Sequence, residues 1–186
     1  MRIGICTSDR SVSLQNVAND IVEVLRGKGH LVDLHLFAKV EPLFYEKYDS
    51  WLTVMTFDIV WAVPYFFITR QLKVNGVNAL FYATIEGKVW GMWTREWVVR
   101  DLEFVACSQY VKRKLHEVGA KVVSVVPHGV KLKEYSLASP LGRIMRKRLG
   151  FSDNDFVVVY IAGDYPRKGH PLFAEVCRIV AQKDKY

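Results

Sequence analysis

Two adjacent cations, Arg167 and Lys168, stand beside Gly169 in the stretch IAGDYPRKGHPLF at positions 161–173. The stretch reads as a strand, a polar turn and the start of a helix. A helix start leaves backbone N–H groups unpaired, and these attract anions. Arg167 offers phosphate a planar fork and Lys168 a compact point charge, while Gly169 lets the backbone approach closely. The chemistry that fits is the receipt of a pyrophosphate. The competing reading is a solvated turn with incidental charges. The turn lacks the G-x-x-x-x-G-K-[ST] spacing of a P-loop, and GICTSDR near the N-terminus lacks G-x-G-x-x-G.

Glu86, on the tip ATIEGKVWG, could serve as a base or hydrogen-bond a hydroxylated acceptor. Its plainer reading is an exposed loop carboxylate. His128, between Pro127 and Gly129, could donate to a ligand or bond its local backbone. His30 ends a helical pattern, where the dipole favours a cation. His35 and His116 have no metal partner at useful spacing, so no metal site is expected.

These residues need elements to position them. RIGICTS reads as a buried strand. Leu14, Val17, Ile21, Val24 and Leu25 then recur at helical spacing until GKGH, and LVDLHLF alternates as a second strand. Strand, helix and strand in this order form a right-handed crossover that begins a parallel sheet. Residues 38–56 have no clear assignment. FDIVWAVPYF is read as a third strand running into a Pro-started element, GVNALFYATIEG as a fourth, EFVACS as a fifth and KVVSVV as a sixth. GMWTREWVVRD is read as a short helix, and Ser108 as the cap of the helix QYVKRKLHEVG. Ligands of open parallel sheets bind beyond the C-terminal strand ends. Ser8 to Ser13, Glu86, Ser108 and His128 all fall there.

The expected fold is therefore α/β, a Rossmann-like parallel sheet with helices on both faces over residues 1–130. Residues 131–140 read as a linker. An incomplete second α/β unit over 141–186 contains the basic helix LGRIMRKRLG, the strand FVVVYIAG and the helix PLFAEVCRIVAQ. One strand makes neither an independent sheet nor an adequate core.

The bulk composition agrees with a packed protein, with 51% apolar and 24% charged residues among 186. Residues 1–100 hold 11 Lys+Arg against 10 Asp+Glu, and residues 101–186 hold 15 against 9. A basic second half suits an anionic ligand, an anionic membrane face or nucleic acid, and a solvated basic surface is the alternative. Nucleic acid rests on this asymmetry alone. Cys6, Cys107 and Cys177 fit neither a zinc site nor a disulfide framework and read as buried thiols of a reducing compartment. MRIGIC starts directly as a strand, so no signal peptide is expected. No run reaches 18 apolar residues, so no membrane span is expected either.

The order of elements resembles the GT-B retaining glycosyltransferases of family 4. ACSQYVKRKLHEVGAKVVSVVPHGVKLKEY is similar to the end of that family's N-terminal domain, and RKRLGFSDNDFVVVYIAGDYPRKGH to the opening of its donor domain. The family's Pro-Asn-Gly-Val-Asp turn is here Pro127 to Lys131, with His128 and Lys131 in the Asn and Asp places. The resemblance implies two Rossmann-like domains across a cleft and retaining transfer from a nucleotide-diphosphate sugar, which is a substrate and not a cofactor. It implies a hydroxylated acceptor, such as a saccharide, no required metal and a cytoplasmic site. The aromatics Trp90, Trp93 and Trp97 and the basic surface point separately to a lipid-linked acceptor at the cytoplasmic membrane face. Lys168 matches the family's diphosphate lysine. Asp164 stands where the family has an arginine, and Arg167 would supply that charge from three positions away. Glu86 matches a family histidine. The loop Asp9 to Ser13 sits where the family approaches donor and acceptor, without the usual paired glycines. The family's Glu-x7-Glu segment has no counterpart, so the chain is expected to be a fragment, weak or inactive alone. The alternative is a non-catalytic glycan- or partner-binding module on the same fold, which the changes at Glu86, His128 and Asp164 favour.

Overall fold

The computed structural model describes residues 1–36, 47–57, 62–87, 96–132, 140–163 and 166–183, with the backbone alone at Trp97, Arg167 and Lys183. The chain divides into two compact units, Met1–Gly129 and Val130–Tyr186.

The first unit is built on β1 (Arg2–Thr7), α1 (Val12–Gly27), β2 (Leu31–Leu36), β3 (Ser50–Thr56), α2 (Val63–Val74), β4 (Asn78–Thr84), α3 (Glu96–Asp101), β5 (Glu103–Ala106), α4 (Gln109–Glu117) and β6 (Lys121–Val125). The six strands form one parallel sheet in the order β2-β1-β3-β4-β5-β6. The step from β1 to β2 runs one way across the sheet, and every later step runs the other way. Right-handed crossovers therefore put α1 on one face and α2 to α4 on the other. The Rossmann-like sheet with helices on both faces is the architecture expected from the sequence.

Local chemistry sets the ends of these helices. Ser11 Oγ accepts from Leu14 N at 3.4 Å at the start of α1, and Ser108 Oγ accepts from Val111 N at 3.2 Å at the start of α4. Pro64 lies in the first turn of α2, where its missing N–H removes no helical bond. Gly29 ends the α1 region with φ of 84°, in the left-handed region that a side chain disfavours.

The core lies between the sheet and its helices. Phe57, Phe66, Phe81 and Phe104 are fully buried, with ring centroids 4.9 to 5.6 Å apart. Burial of each such ring stabilises the fold by about 1.5–3 kcal/mol. Trp51 lies across Gly4 of the neighbouring strand, so closely that a Cβ on Gly4 would sit 2.2 Å from Trp51 Cε3. The tryptophan is 1% exposed, and the glycine makes room for it.

Two elements differ from expectation. The third strand is Ser50–Thr56, ahead of the stretch FDIVWAVPYF, whose proline end belongs to α2. In the second unit FVVVYIAG forms no strand. Its residues are described and lack a ladder partner, with Phe156 94% and Ile161 90% exposed. A lone parallel strand has nothing to bond to. The unit holds α5 (Pro140–Arg148), a 3-10 turn (Pro166–Lys168) and α6 (His170–Lys183). Tyr160 stacks on Phe173 at 4.6 Å, and Arg146 Nη2 donates to Ser152 O at 2.7 Å and Asp155 O at 2.5 Å. Among the described residues no helix is long and apolar enough to cross a membrane.

Candidate functional site

The C-terminal strand ends of the first unit carry hydroxyls held by the sheet itself. Thr7 Oγ1, at the end of β1, donates to Val54 O at 3.0 Å and is fully buried. Thr84 Oγ1 donates to Thr56 Oγ1 at 3.1 Å, joining the ends of β4 and β3, and Phe57 N donates to Thr84 O at 2.8 Å. After β1, Gln15 Nε2 reaches back to Ser8 O at 3.0 Å, and Ser8 Oγ accepts from Arg10 N at 3.1 Å. Tyr65, from α2, meets Ser8, and burial raises its phenol to about 12. The strand order reverses between β1 and β3, so this loop stands at the switch point where open α/β sheets receive ligands.

Ser13 lies in the first turn of α1, with its Oγ 3.1 Å from Ser11 Oγ. Glu86 follows β4 by two residues and is exposed. Tyr110, in the first turn of α4, donates from its hydroxyl to Gly87 O at 3.4 Å and ties the Glu86 tip to that helix. β3 lies between β1, which leads toward Ser13, and β4, which leads to Glu86, so about 10 Å of sheet separates those two strand ends. His128 follows β6. Its ring stacks on Tyr82 at 5.7 Å and 29°, and the Tyr82 hydroxyl donates to Val126 O at 2.7 Å. The histidine is thus packed against the strand end that carries the Glu86 loop. Burial raises the Tyr82 phenol to about 12.

In the second unit, Lys168 ends the 3-10 turn and is exposed, with no ion pair among the described residues. Its carbonyl accepts from the Tyr160 hydroxyl. Gly169 has φ of 77° and immediately precedes α6, whose residue Phe173 donates its N–H to Gly169 O at 3.0 Å. A side chain is disfavoured at that φ, so glycine is required by the turn itself. Arg167 is placed in the 3-10 turn by its backbone. Asp164, Trp90 and Trp93 lie outside the described residues. His170 Nε2 lies 3.0 Å from Gly163 O, which closes the turn from the other side.

Tyr110 and Tyr82 were not singled out in the sequence. An aromatic residue two places after a helix-capping serine is a recognisable signal for the first, but nothing local marks the second. Cys6 is buried, with its thiol raised to about 12 by burial, and Cys107 is half-buried, whereas Cys177 is exposed on α6, contrary to the expectation of three buried thiols. Among the described residues no group of three His, Cys, Asp or Glu is placed to hold a metal ion.

No protein-family model matches the chain. Over 156 residues it is 29% identical to "Uncharacterized glycosyltransferase 335" of Sulfolobus islandicus rod-shaped virus 1, a match covering 84% of this chain and 43% of the viral protein. The chain thus spans less than half the length of that relative. Among solved structures, Streptococcus pneumonia TIGR4 flavodoxin aligns at a TM-score of 0.40 and 12% identity, over 72% of this chain and 90% of that one. A mutant flavodoxin from Pseudomonas aeruginosa aligns at 0.39 and 11%, over 80% and 93%. Likenesses at that level add nothing to the topology. The chain is distantly related to a viral glycosyltransferase and carries a Rossmann-like parallel sheet.

Proposed function

We propose that the chain is part of a glycosyltransferase that moves a sugar from a nucleotide-diphosphate sugar to a hydroxyl acceptor with retention, of the GT-B family 4 kind. The observation that carries this reading is the relationship to the viral glycosyltransferase, which runs through most of the chain. The first unit is the acceptor side, with Glu86 as the base or hydroxyl contact and Ser13 and His128 as polar neighbours. The turn before α6 receives the diphosphate through Lys168, Arg167 and the backbone N–H groups at the helix start. The acceptor oxygen bonds to the anomeric carbon, the bond from that carbon to the diphosphate oxygen breaks, and the acceptor proton passes to a base. The charge that develops on the diphosphate is offset by fixed cations and dipoles. The exposed Lys168 and the positive φ of Gly169 support this assignment.

Calorimetric titration with UDP, GDP and ADP tests it. One nucleoside diphosphate is expected to bind, and Lys168→Ala is expected to weaken binding about tenfold, the scale of one lost charge-assisted hydrogen bond. Equal affinity of wild type and variant for every diphosphate counts against the reading. Turnover by this segment alone is expected to be weak or absent. A rate matching that of a longer protein overturns the expectation that it is a fragment. The second reading, a non-catalytic glycan- or partner-binding module, is favoured by the stacking of His128 on Tyr82, which gives that residue a packing role. It predicts glycan binding with no nucleotide binding.

A further inference from the structure

A cavity of about 450 Å³ opens between α1 and the free edge of β2, lined by Gln15, Asn19, Leu34, His35 and Leu36. Its size is that of an ordinary small-molecule site. The backbone of β2 explains what it offers. Leu31 N donates to Met1 O, so the odd-numbered residues of β2 direct their N–H and C=O groups toward β1. The even-numbered residues Val32, Leu34 and Leu36 therefore direct theirs outward. Val32 O accepts from Arg26 Nε and Nη2 at 3.2 and 2.6 Å. That leaves Leu34 and Leu36, and among the described residues no strand pairs with this edge. Among the described residues this leaves an open stretch of edge at Leu34 and Leu36, stopped at one end by a guanidinium, which suits a small polar molecule.

The side chains point to the same chemistry. Gln15 is fixed through its Nε2 on Ser8 O, which leaves its oxygen as an acceptor, while the Asn19 carboxamide has no hydrogen-bond partner among the described residues. Leu34 and Leu36 supply an apolar wall. His35 is anchored away from any role as a cation. Its Nε2 lies 2.7 Å from the Tyr48 hydroxyl, its ring stacks on Trp51 at 5.3 Å, and burial lowers its pKa against the pull of Asp33. Donors and acceptors are mixed, and no lining residue carries a fixed charge. A carboxylate or phosphate would meet the Gln15 acceptor oxygen, with the flanking cation Arg26 already engaged on Val32 O, and an apolar ligand would strand the amides. Hydroxyls both donate and accept.

We infer that this groove is a binding site for a neutral polyhydroxylated molecule of monosaccharide size, held by the Gln15 and Asn19 carboxamides and the outward backbone groups of Leu34 and Leu36. The site is independent of the transferase reading, because it uses neither Lys168 nor Glu86.

The test is titration of the ¹⁵N-labelled chain with methyl α-glucoside, methyl α-mannoside and sucrose, alongside glucuronate, inorganic phosphate and a short β-forming peptide. At least one neutral sugar is expected to give saturable millimolar shifts in the Asn19 and Gln15 side-chain amides and the Leu34 and Leu36 backbone amides. Asn19→Leu is expected to weaken that binding about tenfold. Asn19 is exposed on α1, so the rest of the spectrum reports whether the fold persists, and Asn19→Asp serves as a second variant of equal size. Absence of shifts with every neutral sugar overturns the inference. So does equal or tighter binding of glucuronate, phosphate or peptide, or sugar binding unchanged in both variants. UDP added to the same sample reads the turn before α6 through different signals, so failure here is distinct from failure there.

Discussion

Behind Gly4 and Trp51 runs a chain of buried hydroxyl contacts. Trp51 Nε1 donates to Thr53 Oγ1 at 3.0 Å, Thr53 Oγ1 lies 2.7 Å from Thr69 Oγ1, and Thr69 Oγ1 donates to Tyr65 O at 2.7 Å. Because Thr69 gives its proton to the carbonyl, Thr53 is the donor of the middle bond. Thr53→Val keeps the shape and leaves the indole N–H buried without an acceptor, which costs about 1–3 kcal/mol. A lower urea midpoint with an unchanged slope is the expected result, and an unchanged midpoint would show that the indole finds another acceptor. None of this was legible beforehand. A tryptophan and two threonines 16 residues apart carry no local signature, and their meeting depends on the register of β3 and the placement of α2. Glu86 and Lys168, in contrast, were legible as candidates because each follows an apolar run at a polar exit.

Around the junction of α3 and β5, cations are paired with the carboxylates Asp101 and Glu103. Asp101 is held by Arg100 and by Arg70, at 2.8 and 2.9 Å, and its pKa is lowered to about 2. Glu103 is lowered first by its bond to Lys121, against burial, with Lys73 at 3.3 Å adding to the effect. Unfolded carboxyls titrate near ~4. Groups whose folded pKa is depressed contribute stability above that value and lose it as the pH falls toward about 2. The denaturation midpoint is therefore expected to drop across that interval, and Asp101→Asn to flatten part of the drop. A variant with the wild-type acid slope would remove Asp101 from the account. At this scale the sequence was informative where an element had its own punctuation, as with Ser108 before α4 or the glycine after α1. It failed at β3. SWLTVMT mixes hydroxyls with bulky apolar side chains, and the Thr53 and Thr56 hydroxyls find partners on α2 and β4 that the local sequence does not reveal, while the more continuous apolar run just after it draws the assignment.

The two units differ in how their backbones are bonded. In the first, six strands share ladders over a buried core. In the second, α5 and α6 flank a stretch whose amides bond to no strand, and Leu141, Ile144, Leu172 and Val180 are all more than half exposed. Hydrogen exchange of this chain is expected to show β1, β3 and β4 as its slowest amides and Phe156 to Ile161 near the unprotected rate. Strong protection of that stretch would require a ladder partner that the described residues do not supply. The reading of one strand as too few for a sheet was available from the sequence, because strand count follows from apolar runs. What remained hidden was that the run would not be a strand at all without neighbours.

The stretch FVVVYI has a further consequence in the test tube. Six consecutive residues without charge, proline or glycine, open on most sides, match the signature of a steric zipper. In concentrated solution, copies of the chain would recruit one another there into cross-β stacks, and a gatekeeping lysine at position 158 would slow fibril growth.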